Sequence, residues 1–356
     1  MNALLRNRAM FIAIATSIFG LVMVFPTYRL LTWFGVNPTI SMGIGIVIFL
    51  TVVALRILHE KQNSLLTRTL TAMGMTWLGI SFVALVMTLS TSVLVALGLD
   101  KTTAAYLALG GTGLASMYGV YNAQRLHVYV LDQNAPAAVR GLTFAQISDL
   151  HIGSRLPGLL PRVVAKTNAL HPDYVLITGD LIDMRDISEE ELAPLSELAA
   201  PVIFCTGNHE RYVDLEEICS RLTNLGVKVL RNTFYSPVDH PDLVFLGIDD
   251  AESKQQVPEM LPAIAASAPE GYRILLYHRP DGLESANEHQ INLMLTGHTH
   301  RGQIIPFNFL VKRVFPKYYR AYTEGTCTLY VSPGTGTWGP ILRLGSKCEI
   351  TLIRLL

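Results

Sequence analysis

The sequence is short of cysteine and of charge. Its four cysteines, Cys205, Cys219, Cys327 and Cys348, are scattered, and no two form a CxxC pair. That argues against a thiolate metal site or a disulfide framework and fits a reduced, cytoplasmic-type set. Only 16% of residues are charged, and 28 basic side chains offset 28 acidic ones. With no broad basic field, a nucleic-acid polymer is not an expected partner.

What the chain has in abundance is apolar surface. Half of its 356 residues are hydrophobic, and the mean hydropathy is +0.35. The excess lies before residue 122, in four stretches over 9–25, 40–55, 70–97 and 104–121. A helix that crosses a bilayer needs roughly 20 such residues, with about 17 as a working minimum. The third stretch passes easily and the others lie near the short end. Any one of them could be a buried helix of a soluble domain. Four in succession, with charges confined to the gaps, predict an all-α transmembrane four-helix domain over 1–124. Within the fourth, Gly111, Ala115 and Gly119 recur at four-residue spacing, a pattern that lets membrane helices approach closely.

Basic residues set the expected orientation. Arg6 and Arg8 precede the first stretch, and Arg56, Lys61 and Arg68 fill the second gap. The first and third gaps hold only Arg29 and Lys101, while Arg125 and Arg140 follow the fourth stretch. The positive-inside rule then places residues 125–356 in the cytoplasm of an inner-membrane protein. A cleaved signal peptide is disfavoured, since no small-residue cleavage site follows Phe25-Pro26.

From residue 125 the composition is ordinary, and short apolar strands alternate with polar helical stretches in an α/β rhythm. Five times a strand runs into a polar cluster. Residues 144–148 lead to Asp149 and His151, 174–178 to Gly179-Asp180, and 202–206 to Gly207-Asn208-His209-Glu210. Residues 274–277 lead to His278, and 291–295 to the T-G-H-T-H-R-G of 296–302. Sites in α/β sheets form beyond the carboxyl ends of strands, so the five ends can converge. Singly, each residue has an ordinary reading. Asp149 or Asp180 could cap a helix, Asn208 could serve a turn, and His278 could be a core histidine. His298 and His300 project to one side of an extended segment, which suits a surface loop as well as half of a metal site. Jointly, imidazole, carboxylate and amide oxygen without thiolate suit Mn, Fe or Zn. Asp149, His151, Asp180, Asn208, His278, His298 and His300, with His209 alongside, are too many for one ion and suit two about 3.5–4 Å apart.

The ordered series D-x-H, G-D, G-N-H-E, a lone post-strand histidine and G-H-T-H resembles the calcineurin-like metallophosphoesterase superfamily over residues 141–356. The tail L-Y-V-S-P-G-T-G-T-W-G further resembles membrane-associated bacterial phosphohydrolases related to the UDP-2,3-diacylglucosamine hydrolases. The resemblance implies two packed mixed β-sheets flanked by helices over 125–356. It implies two divalent metal ions, one held by Asp149, His151 and His300. The other would be held by Asn208, His278 and His298, with Asp180 shared between them. A bridging hydroxide would attack phosphorus, and His209 would assist the leaving oxygen. Asp183 would at most orient a ligand histidine. The implied substrate is a small-molecule or lipid-linked phosphoester or pyrophosphate, such as a UDP-diacylglucosamine, with membrane lipids as neighbours. A phosphodiesterase of soluble nucleotides and a non-enzymatic membrane scaffold stand as alternatives.

Two further features carry expectations. Arg301 stands where glycine is usual in the resembled branch, either as a solvated side chain or as a fork for a phosphate oxygen. The segment 306–320 mixes five aromatics with Lys312, Arg313, Lys317 and Arg320. It reads as a hairpin with a packed aromatic side or as a lipid-contacting segment.

Overall fold

The structure, a computed structural model, describes residues 2–62 and 64–356. It divides into two compact units. One comprises Met1–Tyr121 with Gly339–Leu344, and the other Asn122–Trp338 with Gly345–Leu356.

In the first unit the four apolar stretches form four helices, α1 (Asn2–Trp33), α2 (Pro38–Lys61), α3 (Leu65–Ala96) and α4 (Lys101–Ala123). Their starts are written locally. Asn37 accepts the N–H of Thr39 at 2.9 Å ahead of Pro38, and Ser64 with Thr67 makes a reciprocal capping box at the head of α3. Both α2 and α3 are long and apolar enough to cross a membrane, and no other helix among the described residues meets that measure. In α4, Thr102, Thr103, Thr112 and Ser116 dilute the apolar run. The small-residue series in α4 also behaves differently from a helix-packing seam. A Cβ at Gly111 would meet Met87 of α3 at 3.2 Å, but at Gly119 it would meet Leu342 at 2.9 Å. Gly119 thus makes room for the 339–344 segment, whose Arg343 N–H donates to the Gly119 carbonyl at 2.9 Å.

The second unit is α/β. Its strands are β1 (Leu126–Gln133), β2 (Thr143–Ile147), β3 (Tyr174–Thr178), β4 (Val202–Cys205), β5 (Lys228–Leu230) and β6 (Thr233–Tyr235). They continue with β7 (Leu243–Gly247), β8 (Tyr272–Leu276), β9 (Leu293–Thr296), β10 (Arg320–Glu324), β11 (Cys327–Val331) and β12 (Cys348–Leu355). Two six-stranded mixed sheets result, ordered β1-β12-β2-β3-β4-β5 and β10-β11-β9-β8-β7-β6. The central strands β3, β4, β7, β8, β9 and β11 are buried at every residue. That is why they read as continuous apolar runs rather than alternating ones. Phe144, Leu176 and Ile203 meet Phe245, Ile274 and Leu293 between the sheets. Separate clusters pack the outer faces of the two sheets, around Val175 and Phe204 on one and Leu246 and Leu275 on the other. In each sheet four adjacent strands run parallel. Their carboxyl ends therefore point the same way and deliver the five polar clusters side by side.

The packed hairpin weighed for 306–320 does not form. Residues Phe307–Val314 make a helix with no buried residue, because its apolar side chains have no core to enter.

Candidate metal centre

Glycine precedes three of the five clusters for a steric reason. A Cβ at Gly207 would collide with the Asp180 carboxylate, and one at Gly297 with the side chains of Ser148 and Asp149. The backbone at the clusters is equally unusual. Asp149, His151, Asp180, His298 and His300 all adopt left-handed φ between 47° and 68°. Such φ values are uncommon outside glycine, and Asp, Asn and His adopt them more readily than other residues.

The side chains converge. Oxygen or nitrogen atoms of Asp149, His151 and His300 lie within 4.8 Å of one another, as do those of Asp180, His278 and His298, and those of His151, Asp183 and His209. Nε2 of His151 faces Nε2 of His300 at 3.1 Å, and His298 Nδ1 faces His278 Nε2 at 3.2 Å. Asp180 Oδ2 is 3.0 Å from His278 Nε2 and 3.9 Å from His209 Nε2. Asp149 Oδ1 is 3.3 Å from His300 Nε2.

The donors are oriented from behind. His278 Nδ1 lies 2.8 Å from the Thr178 carbonyl, a contact that in the neutral ring would turn the Nε2 lone pair toward the cluster. His151 Nδ1 lies 3.3 Å from Asp183, whose carboxylate also accepts the Ser154 N–H at 3.0 Å. Such carboxylate–histidine pairs fix the ring and raise its basicity. Ser148 donates to Asp149 Oδ2 at 2.6 Å, and the His298 N–H donates to the same carboxylate. The His209 N–H donates to Asp180 Oδ1 at 2.9 Å.

Electrostatics tie the buried carboxylates to the histidines around them. Burial alone raises both carboxyls. Asp149 remains raised, with Asp180's charge adding to burial. Burial raises Asp180 most, yet the rings of His278, His209 and His151 together hold it well below the usual carboxylate range. Burial would keep His278 neutral, yet Asp180 and Asp149 carry it up to about 10. Burial drives His298 well down, with the neighbouring His278 charge adding to it. Asn208, the first residue of the Asn208–Tyr212 helix, has a buried Oδ1 with no hydrogen-bond partner among the described residues. A buried amide oxygen without a donor is costly, and a divalent ion would satisfy it. Oxygen and imidazole donors, inward lone pairs and an orphaned amide oxygen together fit two divalent ions.

Three contributors escaped the sequence reading. Glu210 is fully buried and accepts the N–H groups of Asp180, Leu181, Ile182 and Gly207 at 2.7–3.1 Å. It lashes the β3 and β4 loops together, and burial with Asp180's charge pushes it up to about 7. Its signal was the fourth letter of G-N-H-E, where a helix's third residue caps back onto its start. Trp338 is half exposed and lies near His209, ring centroids 6.4 Å apart. Its backbone is clamped by the Gln303 amide through two 3.0 Å bonds. Tyr212 stands 5.4 Å from His209 on another side. Arg301 is not gathered with the donors. Its guanidinium lies 4.1 Å over the Tyr319 ring, and its backbone is left-handed at φ 52°.

A sandwich of two mixed sheets with this donor set at its strand ends is suited to holding two divalent ions. Residues 142–302 match the family described as calcineurin-like phosphoesterase. A transmembrane protein with metallophosphoesterase domain from Danio rerio is 33% identical, the match covering 70% of this chain and 62% of that protein. An uncharacterized metallophosphoesterase from Helicobacter pylori is 36% identical over 59% of this chain and 58% of its own. The uncharacterized metallophosphoesterase YkuE of Bacillus subtilis is 29% identical over 70% of this chain and 92% of its own. The chain thus spans less than two thirds of the first two relatives.

Proposed function

We propose that this protein is a membrane-anchored, two-metal phosphohydrolase that cleaves a phosphoester or pyrophosphate of a lipid-linked substrate such as UDP-diacylglucosamine. The observation that carries the reading is the pair of donor groups, Asp149–His151–His300 and Asp180–His278–His298, each within 4.8 Å. In this reading each group would hold one ion, Asn208 would add its amide oxygen to the second set, and Asp180 would serve both. When bound, two divalent ions supply an acidified water and positive charge for the phosphoryl oxygens. The chain's own residues do the rest. Asp183 and the Thr178 carbonyl hold the rings of His151 and His278 in their productive tautomers. His209 keeps 17% of its side chain exposed while the rings of His151 and His278 are sealed. It therefore faces the substrate and gives a hydrogen bond or proton to the leaving oxygen.

Residues 1–124 serve as the anchor and 125–356 as the catalytic domain. Helices α2 and α3 are long and apolar enough for the anchor, and the Danio rerio relative is described as a transmembrane protein. The basic-residue pattern places the anchor in the inner membrane with catalysis on the cytoplasmic face. A second reading, a phosphodiesterase of soluble nucleotides, is favoured by the exposed rings of Tyr212 and Trp338 beside His209. A scaffold role fits poorly with a full set of donors.

The test compares turnover of a UDP-linked acyl sugar with that of a bis-aryl phosphate by the detergent-purified, metal-loaded protein. Preference for the acyl sugar is expected. Turnover of the aryl ester alone would favour the soluble-substrate reading, and no turnover by folded, loaded protein would favour the scaffold.

A further inference from the structure

The Phe307–Val314 helix combines a firm attachment with a solvent-exposed apolar face. Phe307, Leu310, Val311 and Val314 recur at i, i+3, i+4 and i+7, so they share one side of the helix. None is buried, with Leu310 62% and Val314 54% exposed. Phe309 projects from the opposite side and is also exposed. The flank bearing Asn308 is pressed so tightly on Gly302 that a Cβ there would strike the Asn308 backbone. Beyond the helix, the Phe315 ring sits 5.1 Å from the ring of His298, and Thr299 Oγ1 donates to the Tyr318 carbonyl at 2.7 Å. The helix therefore hangs directly from the His298–Gly302 turn.

Charge says what covers the apolar face. Between Glu288 and Glu324 the chain has no carboxylate, while Lys312, Arg313 and Lys317 lie on or just after the helix. An apolar stripe with Arg313 along one edge, Lys312 on the far side and no carboxylate within 289–323 is complementary to a surface with acyl chains below and negative charge above.

We propose that the Phe307–Val314 helix docks in the head-group layer of an anionic bilayer, apolar stripe toward the acyl chains, and holds the His298–Gly302 turn at head-group level. The proposal rests on the membrane-anchor reading. It adds that the metal centre is presented to the lipid surface by a second, independent contact, so a phosphate at head-group depth is the natural substrate position.

The test uses the full chain in vesicles of phosphatidylglycerol and phosphatidylcholine, with a nitroxide at one introduced cysteine. The four native cysteines are buried, so labelling is selective. The sites are Leu310→Cys on the stripe, Phe309→Cys on the opposite side, Val238→Cys on an exposed loop and Val47→Cys on α2. Collisions with oxygen and with a water-soluble nickel chelate report depth. The Leu310 label should be oxygen-accessible and protected from nickel, about 5–10 Å below the phosphates. The Phe309 label should be shallower, and the Val238 label fully nickel-accessible. Lys312→Glu with Arg313→Glu should abolish the protection at Leu310.

A Val47 label in lipid with a Leu310 label as nickel-accessible as that at Val238 would overturn the docking and leave the anchor intact. A nickel-accessible Val47 label would overturn both. A Leu310 label shielded from both relaxants, or broadened by a neighbouring spin, would mean a protein surface covers the helix, and that too overturns the proposal. Protection unchanged by the charge reversal would remove the requirement for anionic lipid.

Discussion

Nε2 of His278 lies 3.0 Å from Oδ2 of Asp180, while its Nδ1 is held 2.8 Å from the Thr178 carbonyl. The ring is thus a rigid link between a strand end and a buried carboxylate. Removing one partner of a buried pair leaves an uncompensated charge, which costs about 3–5 kcal/mol. In chelator, His278→Ala should lower the protein's stability by that order, and added divalent metal should recover less of it than in the unaltered protein. Thermal melts with and without metal check this, and identical melts in chelator would mean that the pair is not a charged one.

Glu210 gathers four backbone N–H groups from two loops. Glutamine in its place keeps the shape but has one acceptor oxygen, so at least one donor is orphaned at about 1–3 kcal/mol. Glu210→Gln should lower the melting temperature and weaken metal affinity together, because the loop carrying Asp180 loosens. A lowered melting temperature with unchanged metal affinity, measured by titration of stripped protein, would restrict Glu210 to a purely structural role.

These two residues also mark where the sequence is legible. His278, like the other four strand-end clusters, could be located because an apolar run stops abruptly at a polar residue that a core would not tolerate. Parallel order then brings the stops together, and that order is itself expected from the α/β rhythm. Glu210 was printed in the same motif, but its role depends on N–H groups about 30 residues away, which no local pattern encodes. The same holds for Gln303 clamping Trp338 across 35 residues. At 307–314 the aromatics left a packed hairpin and a lipid-contacting segment both open, and the exposed helix formed there is visible only in three dimensions. In α4 the glycine spacing was visible but not its neighbour, since Leu342 arrives from the far end of the chain.

Trp338 and Tyr212 flank His209 with exposed rings. Stacking on a base contributes about 1–3 kcal/mol, so Trp338→Ala should lower kcat/KM for nucleoside-containing esters about 5- to 150-fold. The ratio of nucleoside to alkyl ester kcat/KM should fall with it. A constant ratio would place the tryptophan outside the leaving-group path.

The Arg301 guanidinium lies 4.1 Å over the Tyr319 ring, a cation–π contact worth about 0.5–2 kcal/mol. Arg301→Ala should raise KM for phosphate esters by more than Arg301→Lys, and Tyr319→Leu should act in the same direction. Indistinguishable KM values among the Arg301 forms would leave the side chain as a solvated one.

The two-metal centre itself is tested most directly by stoichiometry. Stripped protein in detergent is titrated with Mn, Fe or Zn while hydrolysis of a bis-aryl phosphate is followed, with Asn208→Ala in parallel. Activity that is absent without metal, reaches its plateau at two equivalents and is largely lost in Asn208→Ala is the predicted result. A plateau at one equivalent, or turnover by stripped protein, would contradict the account.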